Sequence, residues 1–204
     1  ALAGMDADVF GLIEIENDRV SQVPDYAVAD LVNGLNAVVG AGTYSYIPTG
    51  AIGTDAIKVA MIYKTATVTP IGDVAVLDSS VDPNFNDDYN RPALAVTFRD
   101  NFSRQIFTVV VNHLKSKGSD CDALGDPDLG DGAGNCNLTR SSAAAAEIAW
   151  LDTDPTNTGS NHIVLIGDFN SYDKEDPIDI ILAGADGVDD TDDDFYDKIG
   201  RAHV

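Results

Sequence analysis

Apolar residues fall into short runs of two periods, and the switching between them predicts the order of elements. DVFGLIEIE (8–16) is apolar and β-branched and ends in acids, which predicts a buried strand with a polar carboxyl end. In 24–39, Val28, Leu31, Val32, Leu35 and Val38 recur at helical spacing, with Pro24 near the start and Gly40 just after. Strands are expected at 43–47, 56–63 and 65–71, then a polar Asp/Asn-rich loop over 77–90. Residues 93–98 and 105–111 flank Asp100-Asn101 as a hairpin would. A Gly/Asp loop follows His113 up to Cys136. Asn137 is expected to cap a helix whose body is 143–151. A short buried strand at 161–167 precedes Asp168-Phe169-Asn170, and a last helix at 176–182 stops at Gly184. Strands and helices mixed in this way predict two packed sheet layers flanked by helices.

Composition adds two constraints. The 204 residues suit one domain, residues 1–204, with 185–204 set apart as an acidic tail. No apolar run is long enough for a membrane span and no signal peptide is visible at the start, while Ala1 suggests a processed or excised chain. The formal net charge is −22, and all but four of the 34 acids are Asp. Asp favours caps, turns and hard-cation sites over helix interiors. Such a field repels polyanions, so any work on nucleic acid must come from local cations and bound metal. Cys121 and Cys136 flank a polar loop with no second Cys or His at zinc spacing, which favours a disulfide and an oxidising compartment. Closing that loop is worth roughly 3 kcal/mol on chain entropy.

Candidate chemistry gathers where polar residues end apolar strands: Glu14, Asn112-His113, and Asp168 with Asn170, with Arg91 just before another strand. A period of two puts Asp168 and Asn170 on one face and Phe169 on the other. Carboxylate and amide oxygens are ligands that Mg2+ and Ca2+ select. Phosphodiester hydrolysis also needs an oriented water and neutralised phosphate oxygens, roles open to Asp168, His113 and Arg91. Each residue taken singly also fits a strand-end cap or a structural hydrogen bond, and spacing does not choose between these.

The runs GLIEIEN (11–17), NRPALAVTF (90–98), VNHLKSKG (111–118) and IGDFNSY (166–172), in this order, resemble the endonuclease/exonuclease/phosphatase superfamily. The stretch 118–140 and TDAIKVAMIYK (54–64) are similar to its secreted bacterial nuclease branch. The resemblance implies an α/β fold, a four-layer sandwich of two packed mixed β-sheets flanked by helices. It implies a metal-binding Glu14, a phosphate-contacting Arg91, a phosphate-binding His113, and an Asp168/Asn170 pair that orients the nucleophile and shares the metal, Mg2+ or Mn2+. The family's opening Asn-bearing strand and closing Ser-Asp-His motif are not matched; neither His203 nor the 196–199 run replaces them. The chain is therefore expected to be an incomplete domain lacking terminal strands, with little activity alone.

Asn112, Lys115 and Arg140 are expected to bind substrate, Lys117 to track phosphate with Lys115 and Arg140, and Asn90 and Lys58 to line the cleft. Asp126, Asp128 and Asp131 have the texture of a calcium loop but miss the twelve-residue spacing. The expected activity is that of a secreted, divalent-metal-dependent nuclease acting on DNA, with no obligate protein partner. Two readings stay open: a phospholipid or sphingomyelin phosphodiesterase of the same fold, and a non-catalytic, calcium-stabilised extracellular module.

Overall fold

The computed structural model describes residues 1–19 and 23–196. Asp197, Lys198, Ile199, His203 and the end of the acidic tail lie outside the described residues. Contacts divide the chain into two interleaved compact units. The first comprises Ala1–Val76, Arg91–Asn112 and Asp154–Gly167; the second comprises Leu77–Asn90, His113–Thr153 and the chain from Asp168 onward. Two of the divisions fall at the carboxyl ends of strands, between Asn112 and His113 and between Gly167 and Asp168.

In the first unit, α1 (Leu2–Met5) leads into β1 (Val9–Glu16), α2 (Tyr26–Val39), β2 (Tyr44–Tyr46), β3 (Ile57–Lys64), β4 (Val68–Leu77), β5 (Arg91–Asp100), β6 (Ile106–His113) and β7 (Ile163–Asp168). The strands form two sheets, ordered β1-β3-β2 and β4-β5-β6-β7. The three-stranded sheet is antiparallel at both pairings, the other is mixed. Strand β3 shows why its sequence reads as one apolar run. Val59 and Met61 join Leu94, Val96, Phe98, Val109 and Val111 in the core between the sheets. Ala60 and Ile62 face the other way and pack with Phe10, Val28, Val32 and Leu35 under α2. A central strand buried on both faces has no polar face to alternate with.

Strand β4 is longer than the expected 65–71 and starts later. It lies at a sheet edge, where Pro70 removes no needed hydrogen bond and the exposed Asp73 is tolerated. The short α1 has no buried residue and no sequence signal strong enough to announce it.

The second unit holds a 3-10 turn (Asp122–Leu124), α3 (Asn137–Leu151) and α4 (Asp176–Leu182), with α3 packed on α4. Cys121 and Cys136 are joined by a disulfide. Helix α3 begins one residue earlier than a cap at Asn137 would allow. Cys136 is the cap residue, and the Asp126 carboxylate accepts from Leu138 N (3.1 Å), Thr139 N (2.8 Å) and Thr139 Oγ1 (2.8 Å). A distant side chain thus does the capping that a local one was expected to do.

Lys58, expected in a cleft, is fully buried in the first unit. Its ammonium reaches Asp25 Oδ1 (2.5 Å), Gly50 O (2.6 Å) and Thr49 Oγ1 (3.1 Å), so all three protons are used internally. Burial pushes the Asp25 carboxyl up, but Lys58, Gly50 N and Thr49 together outweigh it and hold the group below its ordinary value. Because the folded value is depressed, the stabilisation is present above the unfolded pKa and is lost as pH falls through the folded one. Chemical denaturation as a function of pH is expected to show stability dropping below about pH 4. Asp25→Asn reduces that acid slope; an unaltered slope would count against this assignment.

Candidate active site

Glu14 owes its position to a break in strand β1. Leu12 pairs with Ala60, yet Ile15 pairs with Lys58, so Ile13 and Glu14 together oppose Val59 alone. This is a β-bulge. Strict alternation would send Glu14 to the α2 side with Phe10 and Leu12; the inserted residue instead restores Ile15 to that side, where it packs. Glu14 itself takes φ 58°, a left-handed backbone costly for a residue with a Cβ, and its side chain is exposed. An acid held in strain in the open is an arrangement that cohesion does not require.

Arg91, also in the first unit, is fixed by a relay that the sequence did not announce. Asn17 is fully buried. Its Nδ2 donates to Ile52 O (2.8 Å) and Asp55 O (2.9 Å), and its Oδ1 accepts from Ile52 N (3.0 Å). The loop so pinned presents Asp55, whose Oδ2 lies 2.9 Å from the Arg91 guanidinium. Arg91 Nε is buried without a hydrogen-bond partner among the described residues, leaving the group a donor to spare. Asn17 was visible only as the last letter of GLIEIEN.

In the second unit, the backbone beyond His113 is tied at every polar atom. Leu114 N donates to Asp168 O (2.9 Å), and Leu114 O accepts from Asn170 Nδ2 (2.9 Å). Lys115 N donates to Asn90 Oδ1 (2.9 Å), and Lys115 O accepts from Arg140 Nη1 (3.2 Å). Asn170 N closes a turn onto Asp168 Oδ1 (2.8 Å), with Asn170 at φ 48°, a conformation Asn tolerates better than most. His113, Asp168 and Asn170 are thereby brought together. The Asn170 amide nitrogen is spent on Leu114, which leaves its oxygen available. His113 is buried, 5 % exposed.

Two expected substrate contacts are revised and a third is kept. Arg140 is fully buried and donates to Ser171 Oγ (3.2 Å), Lys115 O, Asn135 O (2.7 Å) and Ala133 O (2.8 Å). Burial draws its guanidinium below the ordinary value, opposed by Glu175 and Asp126. It braces the loop and has little left for a phosphate. Asn112 is fully buried with neither amide atom hydrogen-bonded. Strand alternation sends it to the face opposite Val109 and Val111, away from the direction of His113. Lys115 keeps an ammonium with no ion pair among the described residues and lies 5.4 Å from the Tyr89 ring centroid.

The expected calcium loop is also revised. Asp126 caps α3, while Asp128 and Asp131 accept from Gly130 N and Ala133 N in local turns. Among the described residues no group of three or more His, Cys, Asp or Glu side chains could hold a metal ion. Calcium asks for six to eight oxygens, which such a loop does not gather. Magnesium asks for less, one or two carboxylates plus substrate and water. The exposed Glu14 carboxylate, Asp168 and the spare Asn170 oxygen are donors of that kind.

No protein-family model and no curated protein matches the sequence. Solved structures do match in fold. The human Nocturnin catalytic domain with bound sulfate has a TM-score of 0.59 at 14 % identity, covering 90 % of this chain and 59 % of that one. ANGEL2, described as a 2',3'-cyclic phosphatase, gives 0.58 at 16 %, covering 89 % and 44 %. An endonuclease/exonuclease/phosphatase family protein from Bacteroides thetaiotaomicron gives 0.57 at 17 %, covering 89 % and 57 %. The chain has the endonuclease/exonuclease/phosphatase fold. It spans about half of the length of these structures.

Proposed function

We propose that this chain is the catalytic part of a divalent-metal-dependent phosphodiester hydrolase, a secreted nuclease acting on DNA. The observation that supports the reading is the segment after His113, where Leu114 is hydrogen-bonded to both Asp168 and Asn170 within the runs that resemble the superfamily's motifs. Glu14, Asp168 and Asn170 would hold Mg2+ or Mn2+, which when bound neutralises phosphate charge and lowers the pKa of water. His113 donates a hydrogen bond to a nonbridging phosphate oxygen, and the resemblance gives Arg91, ion-paired with Asp55, the role of a phosphate contact. Asp168 orients the water and takes its proton. Water adds to phosphorus, the P–O ester bond breaks, and the departing alkoxide takes a proton from solvent water and leaves as an alcohol. The Cys121–Cys136 disulfide supports an extracellular setting.

Nicking of supercoiled plasmid is the test. Nicking is expected with Mg2+, to stop with chelator, and to fall about 10²–10³-fold in His113→Ala, the effect of losing one preorganised donor to a transition-state oxyanion. Metal-dependent nicking indifferent to His113 would defeat the assignment, as would release of phosphocholine from lipid without nicking.

A further inference from the structure

Tyr172 follows the Asp168–Ser171 run directly and is 75 % exposed, unusual for an aromatic side chain whose orientation is nonetheless fixed. The Lys117 ammonium sits 4.0 Å from its ring centroid. Lys117 is itself anchored: Glu175 Oε1 accepts from its Nζ, Asn135 N donates to its carbonyl (3.2 Å), and a Cβ on Gly134 would lie 2.9 Å from its own Cβ. One face of the tyrosine is therefore covered by a cation while the ring remains largely open to solvent. A second pair is looser, with Tyr89 half-buried and the lysine ammonium 5.4 Å from its ring centroid. Lys115 lies over Tyr89, and its backbone is clamped by Asn90 and Arg140. The two lysines are two residues apart, at most about 7 Å along the chain, in the segment that leaves His113.

A lysine-backed tyrosine is a π-face of fixed orientation, and ring stacking accepts any base because every base has a π-face. Both pairs belong to the unit that carries His113, Asp168 and Asn170. Lys117 is paired with Glu175, while Lys115 has no ion pair among the described residues and sets a local positive charge against a total of −22 that repels polyanions. We infer that Tyr172 and Tyr89 are base-stacking platforms for a single-stranded polynucleotide, so that unpaired strands are preferred over duplex with little regard to sequence. This rests on the hydrolase reading for its biological use, but binding tests it separately.

Fluorescence anisotropy with the whole chain in chelator uses three labelled probes: an oligothymidylate, an abasic strand of equal length, and a duplex. Oligothymidylate is expected to bind at least about tenfold more tightly than the abasic strand. Tyr172→Ala and Tyr89→Ala each weaken oligothymidylate binding about tenfold and bring the two strands closer together, whereas Tyr172→Phe retains the difference. Phe102→Ala, at an equally exposed ring in the other unit, leaves every affinity unchanged. Equal binding of abasic and thymidylate strands, preference for duplex, no binding at all, or insensitivity to Tyr172→Ala in a folded variant each overturns the inference. Failure of plasmid nicking with this binding pattern intact would instead reject the hydrolase reading alone.

Discussion

Gly167→Ala is expected to lower stability by about 3–5 kcal/mol and, with it, the melting temperature by about 6–20 °C. Gly167 takes φ 127°, a backbone conformation that a side chain rarely adopts. A Cβ there would press far inside van der Waals distance of Asn112 O and lie 2.8 Å from Asn112 N and 2.9 Å from its carbonyl carbon. Those are backbone atoms of a central strand, held on both sides by the sheet, so the clash cannot be relieved by a rotamer change. Gly11→Ala is the control. Its Cβ would meet Ile166 Cδ1 at 2.6 Å and Val111 Cγ2 at 2.9 Å, both side-chain tips able to shift, and the expected loss is nearer 1–2 kcal/mol. Since Asp168 is the next residue, Gly167→Ala should also depress activity beyond what unfolding explains. Thermal melts of the two variants side by side decide the matter; equal losses would mean that backbone and side-chain clashes are not distinguished here.

Glu14→Gln is expected to reduce metal-dependent turnover about 10³-fold, the loss of several kcal/mol of charge stabilisation through the cation. Stability should barely change, because the side chain is exposed and the left-handed backbone is kept. Glu14→Gly separates the two contributions. It should abolish turnover as Glu14→Gln does, yet raise stability by about 1 kcal/mol, because glycine adopts φ 58° without the cost that a Cβ imposes. Gain of stability with loss of function is the signature of strain maintained for a task. If Glu14→Gly melts lower than the parent, the bulge is a structural necessity and the strain argument fails.

Much of this was legible in one dimension. Short apolar or alternating runs marked β1, β3, β5, β6 and β7, and a 3.6 period marked α2, because each is a local pattern of water avoidance along one element. Alternation put Asp168 and Asn170 on one strand face, but β7 ends at Asp168 and Asn170 lies in a left-handed bend whose N donates to Asp168 Oδ1 (2.8 Å). Arg140 and Lys58 misled for a common reason. A cation's partners here are carbonyls, a carboxylate and a hydroxyl brought from residues 25, 49, 50, 115, 133 and 135, and no spacing rule reports such company. Asp126 misled likewise, capping a helix ten residues downstream instead of joining a cation loop.

Residue order by itself determined where most strands run, where polar groups terminate them, and that Cys121 and Cys136 were available to each other; the run at 161–167, expected to be buried, became a strand with no buried residue. Only the three-dimensional arrangement decided that β1 carries an extra residue opposite Val59, that Asn112 turns away from His113, and that Tyr172 stands open with a cation behind it. The reason is physical. Periodicity encodes water avoidance along one element, whereas bulge register, hydrogen-bond satisfaction and ring orientation depend on atoms contributed by segments far apart in the chain.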